Sequence, residues 1–173
     1  MRDSGWASLL GFLACSNGGD AEISLDREYH VRDILADRSL GYTDKIPVRL
    51  KAGQDLPGPI YFVTHARLYS LMPVKLDDLV LEAPEAVRVG DDVQFTLTIP
   101  GKLTGTTTVY FTVYGPDDRR LRHYDQALFV RYDGTPKKGT IKLALNDEPG
   151  SWKIVARDML SGVRTQRRFS LAP

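Results

Sequence analysis

Hydrophobic and polar residues alternate along most of the second half of the chain. In DVQFTLTI (92–99) every second residue is apolar, from Val93 to Ile99. A period of two predicts a strand with one face in a core and one face towards water. The same alternation occurs in TTTVYFTVY (106–114), TIKLAL (140–145), SWKIVA (151–156) and VRTQRRFSL (163–171), although Arg167 falls in the apolar phase of the last run.

Turn-forming pairs separate these runs. They are Gly90-Asp91, Pro100-Gly101, Gly115-Pro116, Asp133-Gly134, Pro149-Gly150 and Ser161-Gly162. Short strands with turns at this rhythm are typical of antiparallel sandwiches. We therefore predict an all-β chain in which residues 79–173 form a seven-stranded sandwich of the immunoglobulin or fibronectin III type.

Residues 20–78 are less regular and predict a small β-domain, or the remnant of one. Four strand-like runs occur there: AEISL (21–25), YHVRDIL (29–35), KIPVRL (45–50) and a run that ends in LYSLMP (68–73). Because four strands bury little apolar surface, we expect residues 20–78 to need further strands or another domain to pack against. The stretch 81–90 is interpreted as a linker, because Pro84 interrupts it.

Residues 1–19 contain a short apolar run, WASLLGFLAC (6–15). One interpretation is a remnant strand with Cys15 as a small buried side chain. The other is a bacterial lipoprotein signal, in which Cys15 would be lipidated and would hold the protein on a membrane.

Composition narrows the possible partners. The chain has 173 residues, 42% of them hydrophobic, and a formal net charge of +1. This favours a packed core and gives no overall field that would attract nucleic acid, so no nucleic-acid partner is predicted. Because Cys15 is the single cysteine, the chain forms no internal disulfide.

No residue pattern selects a catalytic or metal site. His30, His65 and His123 lie in separate runs and lack metal-ligand spacing. Asp77-Asp78, Asp91-Asp92 and Asp117-Asp118 are adjacent pairs of the kind that stabilise turns. We therefore predict no catalytic residue, no metal and no cofactor.

Tyrosines provide the candidate binding surface. Tyr110 and Tyr114 share one face of a predicted strand, and Tyr124 and Tyr132 could extend them into an aromatic strip that stacks on a sugar. Core packing or cross-strand pairing is the alternative role for aromatic residues on strands. Tyr110 and Tyr114 are the predicted glycan contacts.

The stretch LNDEPGSWKIVARDMLSG (145–162) predicts a hairpin. Pro149-Gly150 suits a tight turn, Trp152 enters the core where the next strand begins, and Asp158 with Ser161-Gly162 suits the following turn. These residues are the ones that a hairpin needs.

Several stretches together resemble the C-terminal, non-catalytic region of bacterial β-galactosidase-like glycoside hydrolases and their uncharacterised relatives. They are VRDILADRSLGYTD (31–44), LMP (71–73), GPDDRRLRHY (115–124), LALNDEPGSW (143–152) and RDMLSG (157–162). The resemblance implies fold-bearing turns and core positions. It carries over no catalytic carboxylate, because the catalytic domain of such enzymes would lie upstream.

The predicted function is that of a non-catalytic module associated with a bacterial carbohydrate-active enzyme, which gives structural support or weak glycan contact. The expected partners are an upstream catalytic domain or polypeptide and a glycan. The sequence leaves the location open: a bacterial periplasmic, extracellular or cell-surface location is favoured over the cytoplasmic alternative. The alternative is a lipid-anchored surface or periplasmic binding protein that depends on Cys15.

Overall fold

A computed structural model describes residues 7–14, 19–50, 65–101 and 103–173. They form two compact units that divide between Lys75 and Leu76. Twelve strands are described: β1 Ser8–Ala14, β2 Gly19–Asp33, β3 Arg38–Leu50, β4 His65–Met72, β5 Val80–Glu82, β6 Ala86–Arg88, β7 Asp92–Thr98, β8 Thr106–Tyr114, β9 Gln126–Arg131, β10 Lys137–Lys142, β11 Gly150–Asp158 and β12 Arg164–Ala172. One short 3₁₀-helix, Arg122–Tyr124, follows β8.

The first unit is a four-stranded antiparallel sheet in the order β1-β4-β2-β3. One sequence interpretation changes here. The run 21–25 and residues 29–33 of the second run belong to one long strand, β2, whose pairing with β3 shifts register between Ser24 and Tyr29. Residues 34–35 lie in the turn that follows. A β-bulge accommodates the unpaired residues without ending the strand.

The apolar run near the N-terminus is part of this same sheet. Strand β1 pairs with β4 along its whole length, from Ser8 opposite Leu71 to Ala14 opposite His65. The segment 1–19, which we treated as separate from the small β-domain, therefore contributes an edge strand to it. Its Leu10 and Phe12 pack against the buried core of the unit, which consists of Val31, Ile46, Val48, Tyr69 and Leu71.

The second unit is a sandwich of two sheets. A three-stranded sheet in the order β10-β7-β5 packs on a five-stranded sheet in the order β6-β12-β11-β8-β9. All neighbours are antiparallel except β6 and β12, which are parallel. The order of the strands is that of an immunoglobulin-like sandwich, so the predicted fold class is confirmed.

The described sandwich has eight strands rather than the seven we predicted. The stretch 81–90, interpreted as a linker, contains Ala86–Arg88, which pairs with Ser170–Ala172 at the edge of the five-stranded sheet. Pro84 separates this strand from β5 and so lies where the chain passes from one sheet to the other. A strand of three residues is too short to show a period of two, so the pattern could not reveal it.

The alternating residues fill the core as predicted. Val93, Phe95, Leu97 and Ile99 are buried, and so are Val109, Phe111, Val113, Trp152, Ile154, Ala156, Phe169 and Leu171. The rings of Phe95 and Phe111, on opposite sheets, lie 4.7 Å apart between centroids. Gly139 lies under the Phe95 ring, where a Cβ would be 2.2 Å from the ring.

Leu145 departs from the predicted pattern. We placed it in phase with Ile141 and Leu143, but it is 84% exposed. Strand β10 ends at Lys142, and the residues around Leu145 form a turn. Among the described residues, no helix has the length and apolar character needed to cross a membrane.

Candidate functional site

The candidate site lies on the outer face of the five-stranded sheet. Val109, Phe111 and Val113 of β8 point into the core, so Tyr110 and Tyr114 lie on the opposite face, half-buried. The two tyrosines are separated by roughly 13 Å along the strand, at a strand rise of about 3.3 Å per residue. This arrangement agrees with the prediction that Tyr110 and Tyr114 share one face of the strand.

Tyr114 contacts a cation held by an aspartate. Its cross-strand neighbour is Lys153 of β11, whose Nζ lies 4.5 Å from the centroid of the Tyr114 ring. The same Nζ donates to Asp118 Oδ1 at 2.7 Å, and this hydrogen bond, together with the lysine charge, lowers the pKa of Asp118. Asp118 therefore holds Lys153 against the ring in a cation–π contact.

Tyr110 has a similar but separate environment. The guanidinium carbon of Arg120 lies 5.9 Å from the centroid of its ring, and Arg120 donates through Nε to Asp125 Oδ2 at 2.9 Å. The hydrogen bond to Asp125 raises the pKa of Arg120. The Tyr110 hydroxyl lies 3.3 Å from the same carboxylate oxygen, so the ring is fixed at both its face and its edge.

A hollow of about 550 Å³ opens beside Tyr114 on this face. Its lining residues come from β8, the loop after it, β11 and β12: Tyr114, Asp118, Lys153, Val155, Arg164, Thr165 and Gln166. Tyr110 does not line it. The structure thus separates the two predicted glycan contacts, since Tyr114 borders this hollow and Tyr110 does not.

The other two tyrosines of the predicted strip lie elsewhere. The Tyr124 hydroxyl donates to Asp147 Oδ2 at 2.5 Å, and the Tyr124 ring centroid lies 5.9 Å from that of Trp152. Burial and the hydrogen bond to Asp147 raise the pKa of Tyr124 to about 12. Tyr132 is buried, with its hydroxyl 3.4 Å from Asp158 Oδ2, and its burial raises the pKa of Tyr132. The strip of four tyrosines that we considered is therefore not formed.

Asp158 does more than end a hairpin. As predicted, it stabilises the turn before Gly162, because its Oδ2 accepts the Ser161 N–H at 2.8 Å. It is also fully buried, and its Oδ1 accepts the Thr107 hydroxyl at 2.5 Å. Together with Tyr132 these residues form a closed polar network in the sandwich, which suits a structural role.

The predicted hairpin is present on one side of Trp152, where β11 and β12 pair antiparallel. The tight turn predicted at Pro149-Gly150 is wrong, because β10 pairs with β7 in the other sheet and the chain crosses between the sheets there. Gly150 has a φ of 145°, which few other residues adopt, and begins β11. Trp152 is 1% exposed, and its indole N–H donates to the Glu148 carbonyl at 2.9 Å. The indole therefore belongs to the core and to the support of the preceding turn.

His30 and Asp117 lie in structural settings. His30 is nearly buried, with Nε2 3.4 Å from the Ser39 hydroxyl and its ring edge-on to Tyr42. Asp117 accepts the Arg119 N–H at 3.0 Å within a turn. Within the described ranges, no group of three or more His, Cys, Asp or Glu side chains could hold a metal ion.

Cys15, the residue on which the lipid-anchored alternative depends, lies outside the described residues, as does the side chain of His65.

Sequence reasoning missed Lys153, Thr165 and Gln166 as parts of the site. The period of two could have placed Lys153 on the outer face, because it alternates with the core residues Trp152 and Ile154.

No family model and no curated protein matches this chain. Among solved structures, it is similar to the CARDB domain of a Pyrococcus furiosus protein, which was crystallised in complex with di-metal ions. The two share 10% sequence identity with a TM-score of 0.37, over 57% of this chain and 93% of the other.

Proposed function

We propose that this chain is a non-catalytic β-sandwich module that makes weak contact with a carbohydrate through the hollow beside Tyr114. The observation that carries the proposal is the combination of an aromatic ring and polar side chains around one open space of about 550 Å³. Ligand sites commonly join apolar surface to a few polar groups that orient the ligand.

The geometry suggests how a sugar would lie. Lys153 contacts one face of the Tyr114 ring, so the ligand would use the other face or the ring edge. Thr165 and Gln166 border the same hollow and offer a hydroxyl and an amide, which can both donate to and accept from sugar hydroxyls. An open hollow of this kind suits weak binding, since it would leave much of the ligand in water.

The proposal includes the partner that the sequence resemblance implies, a catalytic domain of a bacterial glycoside hydrolase on the same or a separate polypeptide. It also includes the periplasmic, extracellular or cell-surface location that goes with such an enzyme. The module itself would support or position that domain and would carry out no hydrolysis.

The test is affinity electrophoresis through gels that contain a panel of soluble polysaccharides. The intact chain should be retarded by at least one of them, and Tyr114→Ala should abolish the retardation. Tyr110→Ala is the matched control, because Tyr110 lies on the same strand face and also contacts a cation but does not line the hollow.

Equal loss in both variants, with both still folded by tryptophan fluorescence, would contradict the assignment to this hollow, and so would no retardation by any polysaccharide. The intact chain should also release no aryl group from aryl glycosides. Turnover that is lost on mutation of one particular carboxylate would contradict the non-catalytic role.

A further inference from the structure

A second hollow, in the four-stranded unit, has a basic lining. It measures about 320 Å³ and is bordered by Asp33, Arg38, Pro47, Arg49, Arg67 and Tyr69. Three guanidinium groups face one carboxylate there, so the lining carries a formal charge of +2. By the same count the hollow beside Tyr114, with Lys153, Arg164 and Asp118 in its lining, carries +1, so the hollow of the four-stranded unit is the more basic of the two.

Asp33 fixes one of the three guanidinium groups. It is 1% exposed at the end of β2, and its Oδ1 accepts the Ala36 N–H at 3.0 Å within the turn that leads to β3. Its Oδ2 accepts from Arg67 Nη1 at 3.0 Å. A guanidinium has five N–H donors in a planar fork, and this ion pair orients the fork of Arg67 at the border of the hollow.

Tyr69 lines the hollow together with these charged residues. It lies directly opposite Asp33 in the pairing of β2 with β4, and its hydroxyl lies 3.4 Å from the Pro47 carbonyl oxygen. Burial and the charge of Asp33 raise the pKa of Tyr69, whereas the charges of Arg67 and Arg38 lower it. Arg38, Arg67 and Tyr69 line the same hollow.

Arg49 is held less firmly than Arg67. Arg49 forms an ion pair with Asp20 at 3.8 Å, and both side chains are largely exposed. Exposed pairs of this kind contribute little and exchange readily with other ions. Arg38 and Arg49 can thus close on an incoming anion, while Arg67 is already in place.

We propose that this hollow binds an oxyanion, namely a carboxylate, sulfate or phosphate group of a small ligand. Arg67 would donate from its fixed position, and Arg38 and Arg49 would complete the shell. Guanidinium groups match the geometry of these anions with paired N–H···O bonds, and a site of several arginines reduces the cost of removing the anion from water. The inference is independent of the carbohydrate hollow, which lies in the other unit.

The test is a titration of the full chain, labelled with ¹⁵N in arginine and alanine, with acetate, inorganic sulfate and inorganic phosphate at constant ionic strength. The Nε–Hε signals of Arg38 and Arg67 and the amide of Ala36 should shift and saturate for at least one anion. The dissociation constant should be on the order of 1 mM, as a few charge-assisted bonds in a wet site would give. Comparison of the three anions distinguishes a carboxylate site from one for a tetrahedral anion.

Arg38→Gln is the informative variant, because Arg67→Gln would leave Asp33 buried without its cation and could unfold the sheet. Loss of one charge-assisted bond should weaken binding about tenfold. Arg119→Gln should leave it unchanged, since Arg119 is an exposed arginine of the sandwich that pairs with Asp117. Tyr114→Ala should also have no effect.

Two results would overturn the proposal. One is a linear drift of all arginine signals alike, which means an adventitious ionic effect only. The other is saturable binding whose affinity does not change in folded Arg38→Gln, which places the anion elsewhere.

Discussion

Replacement of Asp158 by alanine should strongly destabilise the sandwich. The carboxylate is fully buried and accepts from the Thr107 hydroxyl at 2.5 Å and from the Ser161 N–H at 2.8 Å, with the Tyr132 hydroxyl at 3.4 Å from Oδ2. Thr107, Tyr132 and Ser161 are buried as well. The substitution leaves three donors without their acceptor inside the protein.

The magnitude follows from these contacts. A buried donor that loses its partner costs about 1–3 kcal/mol, and water that enters the vacated space offsets part of this, so Asp158→Ala should cost about 3–5 kcal/mol. Thr107→Val, which removes the shortest bond, should cost about 1.5–3 kcal/mol, as bonds to charged groups do. Tyr132→Phe removes only a long contact and should cost less than about 1 kcal/mol.

The assay is equilibrium unfolding in urea, followed by Trp152 fluorescence in a Trp6→Phe background. The account predicts the order Asp158→Ala, then Thr107→Val, then Tyr132→Phe, from the largest loss to the smallest. The reasoning is refuted if Asp158→Ala costs less than about 1 kcal/mol, or if Tyr132→Phe is as destabilising as Asp158→Ala.

Three further predictions follow from the fold. Trp152→Ala should cost roughly 3–5 kcal/mol, because the indole is buried; an emission maximum typical of exposed indole in the Trp6→Phe protein would contradict this. The hydrogen bonds from Thr135, with Arg131 nearby, lower the pKa of Asp133 to about 2. Its contribution to stability should be complete above the unfolded pKa of about 3.9 and lost as the pH falls through 2; a ¹³C carboxyl titration midpoint near the unfolded value would contradict this. Residues 76–173 should fold alone and residues 1–75 should not, so a dispersed amide proton spectrum is expected from 76–173 only. A dispersed spectrum from 1–75 alone would contradict this division.

The period of two predicted the core of the sandwich well, because burial of one strand face is a local rule. Val93, Phe95 and Ile99 were assigned to the core from alternation alone, and all are buried. The rule fails where a strand ends, since alternation continues in the sequence after pairing has stopped. Leu145 is the example, because it keeps the phase of Ile141 but lies beyond β10.

Contacts between distant parts of the chain were not predictable in the same way. The turn role of Asp158 could be inferred from its neighbours, but its partner Thr107 is 51 residues away. The ion pair of Lys153 with Asp118 spans 35 residues. Such pairs depend on strand order and register, which the periodicity of each strand does not specify.

The candidate site shows the same limit. Tyr110 and Tyr114 could be placed on one face, because they are four residues apart in one strand. Which of them borders a hollow depends on side chains from β11 and β12, and these strands reach Tyr114 only through the fold.

The most direct test of the proposed function is a map of amide shifts in the ¹⁵N-labelled chain during titration with an oligosaccharide. The sugar should be taken from the polysaccharide that retards the protein most. The account predicts that the largest shifts cluster at the residues around the hollow, Tyr114, Asp118, Lys153, Val155, Thr165 and Gln166. These shifts should be absent in Tyr114→Ala and retained in Tyr110→Ala. Shifts centred on Tyr110, or on the four-stranded unit, would contradict the account.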